Sequence, residues 1–476
     1  MASEIRSKLG ESLASVQKYD APAENVTTPS LDALKAYSLG YQAMVVRANY
    51  TAAIPLFQRA ISLDPNFAMA YARMGTSYSD LNETVRAAES VRRAYELRER
   101  VSERERFYIA SHYQMFVTGN LEAARKVYEL SAQTYPRDTR LGNLGLLYSE
   151  LGDYEKAVAE YKEDLKLNPE KGNAYADLVG GYLQLNRLDE GQATAREARA
   201  HNMDVPEVHL NLYWIDFLRH DAAGMEQEAA ELMGKPSDED QMLNYESDTA
   251  SYGGQLVKAR VLTRHAIDSA HKVDEKEAAA LYQAEAAVRE ALVGNTDLAK
   301  PQAQAALALS NGRDVEALLA FSLELAGDSA HGAQLADDLA KRFPEDTIVQ
   351  FNYLPTIHAA ALLRSGDAGK ATETLAEAAP YELGSILTTL NFVLYPIYLR
   401  GEAYLAAKQG PAAAAEFQKI LDRPGIVRSE PIAALAHLQL GRAYALSGHT
   451  DKARNAYNDF LTLWKDADPE IPVAFM

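Results

Sequence analysis

The stretch Leu151-Gly152-Asp153-Tyr154-Glu155-Lys156-Ala157-Val158-Ala159-Glu160-Tyr161 decides the fold, because it holds the end of one helical pattern, a turn, and the start of a second. Gly145, Ala157 and Pro169 frame it at intervals of twelve residues. The spacing predicts one helix from about Thr139 to Leu151 and another from about Tyr154 to Leu167, crossing where side chains are smallest. Gly145 and Ala157 let the backbones approach, while Leu141, Leu144, Tyr148 and Tyr161 fill the flanking space. Asn168-Pro169 ends the second helix, since proline has no N–H and disfavours a helical residue before it.

The same frame returns at Gly75 and Ala87, Ala53 and Pro65, Ala124 and Pro136, and Gly441 and Ala453. Traced along the chain it gives about twelve units, the clearest beginning near Ser30, Phe67, Glu105, Thr139, Gly172, Tyr398 and Pro431. Around Trp214, Glu246 and Leu292 the small positions are filled by larger residues, so a looser middle is expected, although Gly254 to Ala259 restore the register. Pro355 and Pro396 fall inside expected first helices, where proline kinks a helix or marks a late start. Ile5, Leu9, Leu13 and Val16 share one face of an expected helix over Ala2–Gln17, and Asp20–Pro29 reads as a linker with Ser30 as the following N-cap. The expected organisation is an N-terminal helix and linker over 1–29, repeats over 30–235, and further repeats over 236–476 continuous with the first set.

A paired-helix unit of this length and spacing resembles the tetratricopeptide family. The resemblance implies an all-α fold, an α-solenoid in which about twelve helix-turn-helix units wind into a right-handed superhelix, and a concave groove lined by first helices that binds protein or peptide. Three segments carry a narrower likeness: Thr27–Gly40, Tyr395–Tyr404 and Phe460–Pro469. They look like the C-terminal repeat region of bacterial proteins whose array follows a serine/threonine protein kinase domain or a winged-helix domain. What this implies is the regulatory or docking arm of a signalling protein. The sequence holds no Gly-rich phosphate loop, HRD-type base or DFG-type metal ligand, so kinase chemistry is not expected of this chain.

Composition excludes several function classes. With 47% hydrophobic and 24% charged residues the chain reads as folded rather than disordered. A formal charge of −19 repels a phosphate backbone, and mixed runs such as Arg98 to Arg106 alternate in sign, so nucleic acid is not an expected partner. No cysteine is present for a disulfide or thiolate site. The first residues lack a signal-peptide core, and no apolar run reaches the roughly 20 residues that span a bilayer. A cytoplasmic chain without membrane insertion is the expectation.

No catalytic residue, metal site or cofactor is expected either. Gly366-Asp367-Ala368-Gly369-Lys370-Ala371-Thr372 fails both P-loop spacings and aligns with the turn at Gly152. Ser15-Val16-Gln17-Lys18 lacks the companion elements of penicillin-recognising enzymes. Asp466 to Glu470 offer too few ligands and no turn Gly for a calcium loop. The ten histidines form no i, i+4 pair, and His112 occupies a small-residue position where packing is expected.

The family register puts Tyr37, Tyr41, Arg73, Thr76, Arg106, Tyr113, Asn173, Asn211, Trp214, Tyr398, Glu402 and Arg442 on the groove as candidate partner contacts. Ala72, Thr76, Gly142 and Leu146 stand where a clamp for a terminal carboxylate needs Lys and Asn, which argues against that specialisation. Two alternatives stay open: a sensor of a small ligand or glycan, and an enzyme with an unfamiliar groove site. Titratable residues converging in a deep pocket favour the enzyme, and a long open groove favours the scaffold. At the far end, Glu470 to Met476 are few and apolar, so either Ile471, Val473 and Phe475 fold back as a lid, or the chain continues in a longer protein and self-associates through its uncapped last unit. The second of these is preferred on sequence.

Overall fold

The computed structural model describes residues 28–135, 141–235, 237–385 and 391–472. The expected helix over Ala2–Gln17, most of the linker, Val473 and Phe475 lie outside the described residues. Among the described residues twenty-four helices pair into twelve units, a short extra helical turn lies at Pro424–Val427, and there is no strand. Units 1 to 3 are α1 (Leu31–Tyr41) with α2 (Tyr50–Leu63), α3 (Ala68–Asp80) with α4 (Thr84–Glu96), and α5 (Glu103–Tyr113) with α6 (Leu121–Thr134). Units 4 to 6 are α7 (Leu141–Glu150) with α8 (Tyr154–Leu167), α9 (Gly172–Gln184) with α10 (Leu188–Ala200), and α11 (Pro206–Leu218) with α12 (Ala222–Leu232). Units 7 to 9 are α13 (Glu239–Tyr252) with α14 (Leu256–Lys272), α15 (Lys276–Leu292) with α16 (Thr296–Leu309), and α17 (Arg313–Leu325) with α18 (Ser329–Arg342). Units 10 to 12 are α19 (Leu354–Arg364) with α20 (Ala368–Leu375), α21 (Tyr395–Ala406) with α22 (Gly410–Leu421), and α23 (Pro431–Leu446) with α24 (Thr450–Leu463). The fold is the all-α superhelix of paired helices expected from the spacing.

One backbone feature marks every unit. Each turn between paired helices contains one left-handed residue: Ala48, Asn82, Gly119, Gly152, Asn186, His220, Gly254, Gly294, Gly327, Gly366, Lys408 and Gly448. A single residue with positive φ reverses the chain within three or four residues, and Gly and Asn adopt it at least cost. Gly366 is therefore an ordinary turn, with Asp367 accepting from Lys370 N at 3.1 Å. The small position on each first helix also has a direct cause. A Cβ on Gly145 would fall 2.5 Å from the Tyr161 ring, and one on Gly441 would fall 2.5 Å from the Tyr457 ring. In unit 3, His112 takes this position and packs at 2% exposure, its Nδ1 2.8 Å from Tyr108 O.

The two prolines differ: Pro396 marks a late start, whereas Pro355 lies inside a helical stretch already running from Thr347. Pro396 lies in the first turn of α21, and Pro355 in the first turn of α19, which follows one wide helical turn at Val349–Tyr353. Ser30 caps α1 as expected, accepting from Ala33 N at 3.2 Å.

The superhelix makes two turns, and the second stacks on the first. Thr51 and Ser237 share a hydrogen bond of 2.6 Å between unit 1 and the connection into unit 7. Unit 2 meets the connection into unit 8, where Arg86 pairs with Asp274 at 2.9 Å. Unit 3 meets the connection into unit 10: Thr347 N donates to Gly119 O at 2.9 Å, and Thr347 Oγ1 accepts from Leu121 N at 3.1 Å. Unit 4 meets the connection into unit 11, with Ser385 N donating to Ser149 O at 3.1 Å. The offset thus slips from six units to seven between units 2 and 3. The start of unit 9 faces a cavity of about 370 Å³ at the slip, where Arg313 bridges Asp314 and Asp346, each at 3.0 Å.

One expectation is corrected here. The middle of the array is not loose: α15 and α17 are buried on almost every side, because the first helices of units 7 to 12 close into a ring in which α13 meets α23. Polar pairs tie these helices together, as where Ser247 Oγ lies 2.9 Å from Thr263 Oγ1 and Arg289 pairs with Asp248 at 2.5 Å. The stretch after α24 folds back, but over units 7 and 8, and Leu461 on the last helix stays exposed. Trp464 Nε1 donates to Tyr252 O at 3.0 Å, Asp468 caps α14 through Val257 N at 2.7 Å, and Ile471 is 2% exposed.

Candidate functional site

The inner surface, which the resemblance assigns to a ligand, is not one open groove. In the second turn it is filled by packed first helices, and in the first turn it narrows to a polar pocket of about 210 Å³ on the superhelix axis. Helical periodicity builds its walls. Asn173, Asp177, Gly180 and Gln184 form one stripe on α9, Glu207, Asn211 and Trp214 a second on α11, and Gln241 and Tyr245 a third on α13. Tyr50 from the start of α2 and Asp80 from the end of α3 close one side, and Ser385 and Arg428 from the second turn close another.

Several of these side chains are held in place. Asn173 Nδ2 donates to the Tyr50 hydroxyl at 2.9 Å, and Asn211 Nδ2 donates to Ala176 O at 3.2 Å. Trp214, 5% exposed, stacks on Tyr245 with ring centres 3.9 Å apart, and the Arg428 guanidinium lies 3.9 Å from its ring centre. Arg428 adopts φ 56°, ψ −133°, a region costly for any residue with a Cβ. The packing of the loop around the helical turn Pro424–Val427 maintains this strain, and Gly425 sits against Leu183 O where no Cβ would fit.

The pocket is electrostatically unbalanced. Burial pushes the Asp80 carboxyl up to about 7. Burial, with the charges of Asp238, Asp80 and Asp177 adding, pushes Glu207 up to about 8. Asp177 is raised well above the usual carboxylate range by burial and then by Asp164 and Asp80, against a smaller opposing effect of Lys171. Burial lowers Arg428. Among the described residues, Glu207 Oε2, Asn173 Oδ1 and Arg428 Nε are buried without a hydrogen-bond partner, and all three residues line this one pocket.

The sequence-predicted residues fall into separate groups. Asn173, Asn211 and Trp214 are brought together in the axial pocket. Tyr37, Tyr41, Arg73 and Thr76 meet at a half-buried ledge across units 1 to 3, where Arg73 lies 5.0 Å from the Tyr41 ring centre and 4.1 Å from that of Tyr108. Thr76 Oγ1 is 2.7 Å from the Tyr108 hydroxyl. Further along the same units Tyr113 stacks on Tyr95 at 3.9 Å, and Arg106 reaches Glu99 at 3.4 Å. Tyr398, Glu402 and Arg442 form a third group linked through Gln439. Tyr398 is packed at 4% exposure, while Glu402 and Arg442 line a shallow depression with Leu405 and Leu446.

Sequence reasoning missed Asp80, Asp177, Glu207 and Arg428. Asp177 was within reach, since it follows Asn173 by one helical turn, as was Glu207, which precedes Asn211 by one. Asp80 and Arg428 carry no such signal, because the superhelix brings them in from other units.

The description "Tetratricopeptide repeat" belongs to the family model that matches residues 140–171, which are unit 4. A curated relative, Superkiller protein 3 of Schizosaccharomyces pombe (strain 972 / ATCC 24843), is 25% identical over 140 residues, and the match covers 28% of this chain and 10% of the relative. The chain thus spans about a tenth of that relative's length. The tetratricopeptide domain of P58(IPK) matches with 14% identity and a TM-score of 0.23, covering 79% of this chain and 96% of that one. The APC/C hetero-tetramer Cut9–Hcn1 matches with 12% identity and a TM-score of 0.33, covering 95% and 97%. No helix among the described residues is long and apolar enough to cross a membrane.

Proposed function

We propose that the chain is a non-catalytic scaffold that holds a segment of another polypeptide on the ledge of units 1 to 3, as the docking arm of a cytoplasmic bacterial signalling protein. Tetratricopeptide repeats generally mediate protein–protein interaction, and the observation that carries the reading here is the ledge itself. Aromatic and Arg side chains are the usual anchors of protein interfaces. Tyr41, Arg73 and Tyr108 are already ordered by ring and guanidinium contacts, so binding costs little side-chain entropy. A net charge of −19 favours a partner segment with basic residues. The signalling part of the reading rests on the likeness of the three quoted segments to kinase-linked and winged-helix-linked arrays.

Peptides selected from a displayed library against the whole chain test the reading. Replacing Tyr41 and Arg73 together by Ala should weaken the selected peptides by about tenfold or more while helicity is retained. Undiminished binding by that variant sinks the ledge as the site.

Asp80, Asp177 and Glu207 gathered in one partly open pocket favour a second use of the fold, in which a small ligand is held on the axis. The groups around them form no hydrogen-bonded nucleophile–base pair: Ser149 Oγ is engaged by Gln184 at 2.6 Å. The reading is therefore of a binding pocket.

A further inference from the structure

We infer that the axial pocket binds a short aliphatic diamine or polyamine, whose ammonium groups are held by Asp80, Asp177 and Glu207. The inference rests on the reading of the pocket as a small-ligand site and is independent of the polypeptide ledge.

The charge of the lining comes first. Ionised, the three carboxylates and the single guanidinium of Arg428 carry a net −2, and the pocket supplies no cation to cancel it. Lys171, whose charge opposes the rise of Asp177 from outside the lining, sits 3.4 Å from Asp164 Oδ1. A ligand with two positive charges is the complement.

Shape excludes a point charge. The carboxylates come from α3, α9 and α11, and no three acidic or His side chains among the described residues converge as a metal ion requires. They reach the pocket from three different helices without converging on one point, which favours an extended cation.

Size restricts the ligand further. At about 210 Å³ the pocket is smaller than the roughly 300–1,000 Å³ of pockets for drug-sized ligands. A chain of a few methylenes with an ammonium at each end fits this scale. The walls suit both parts of such a molecule. Leu146, Ala176 and Leu210 offer apolar contact to the methylenes, and Glu207 Oε2 and Asn173 Oδ1 are acceptors still awaiting a donor.

Trp214 contributes geometry rather than a free face, because Tyr245 covers one side of its ring system and Arg428 also lies over it. The strained backbone at Arg428 fixes this guanidinium at the edge of the pocket, where it sets one end of the site and repels a ligand ammonium toward the carboxylates.

The groups facing the carboxylates are Asp164 and Lys171 by Asp177, Asp238 by Glu207, and the Tyr50, Tyr161, Tyr245 and Arg428 side chains. Burial leaves Asp80 and Glu207 part-protonated in the empty pocket near neutral pH. A bound ammonium favours their ionised forms, so binding releases protons and tightens as pH rises, until the amine itself loses charge.

The test is calorimetric titration of the whole chain with 1,4-diaminobutane, 1,5-diaminopentane and spermidine at physiological salt. One site is expected, with affinity rising about tenfold between about pH 6.5 and about pH 8.5 and with proton release seen as a dependence on buffer ionisation heat. Glu207→Gln and Asp177→Asn should each weaken binding about tenfold or more, since each removes a charge that pairs with an ammonium. Asp451→Asn, an exposed carboxylate far from the pocket in the chain, should not. Both pocket variants lose a buried charge and are expected to fold, which circular dichroism checks. In a Trp464→Phe background the fluorescence of Trp214 reports occupancy directly.

No binding by any of the amines overturns the inference. So does binding that Asp451→Asn weakens as much as the pocket variants do, since that is general attraction to an acidic surface. Binding of a neutral polyol at Trp214 with no amine binding overturns the dication and leaves the small-ligand reading standing.

Discussion

Glu83 and Glu277 cap each other's helices across the seam between superhelical turns. Glu277 accepts from Val85 N at 2.9 Å and from Thr84 Oγ1 at the start of α4, and Glu83 accepts from Glu277 N at 2.8 Å at the start of α15. Each carboxylate sits at a helix N-terminus, where unpaired N–H groups and the helix dipole favour negative charge. Replacing Glu277 by Ala is expected to cost about 1–2 kcal/mol. Adding Glu83→Ala should then cost less than it does alone, because the seam is already open. Strict additivity in thermal melts of the four variants would show that the caps act independently.

Stability is expected to fall as pH rises from about 6 to about 9. Burial raises Glu275 to about 8 and Glu277 to about 7, beside Asp80 at about 7 and Glu207 at about 8. A carboxyl whose folded pKa lies above its unfolded value makes the folded chain bind more protons. Its stabilising contribution is complete below the unfolded pKa and is lost as pH climbs through the folded one. Melting temperature against pH checks this, and Glu275→Gln should flatten the slope. A melting temperature that rises with pH over this window contradicts the argument.

Gly145→Ala should destabilise unit 4 by about 1–3 kcal/mol, because the new methyl meets a Tyr161 ring packed too tightly to yield. Lys408→Gly should act oppositely, gaining about 1 kcal/mol by removing a Cβ from a left-handed turn residue. Chemical denaturation of the two variants checks both signs.

Hydrogen exchange should find the strongest protection in α15 and α17, which neighbours bury on almost every side. Units 1 and 12, with Leu31, Leu39 and Leu461 exposed, should open first. Slowest exchange in α1 or α24 would refute this order.

The sequence by itself determined the unit. Gly145 opposite Tyr161, the left-handed residue near Gly152 and the stop at Asn168-Pro169 all act within a few helical turns, so their spacing is written directly into the chain. It also determined which side of the first helices faces inward, which is why Asn173, Asn211 and Trp214 were legible as one surface. Only the tertiary structure decided how far the superhelix winds. A small change in rotation per unit accumulates along the array, and the result sets whether Gly119 meets Thr347, where the register slips from six units to seven, and whether the middle first helices line a groove or fill a core. The axial pocket belongs to that second class. Asp80, Glu207 and Arg428 come from units 2 and 6 and the connection into unit 12, and no local period relates them. The interactions that bring them together arise only when both turns are stacked, because backbone geometry fixes neighbours in sequence and packing alone fixes neighbours a full superhelical turn apart.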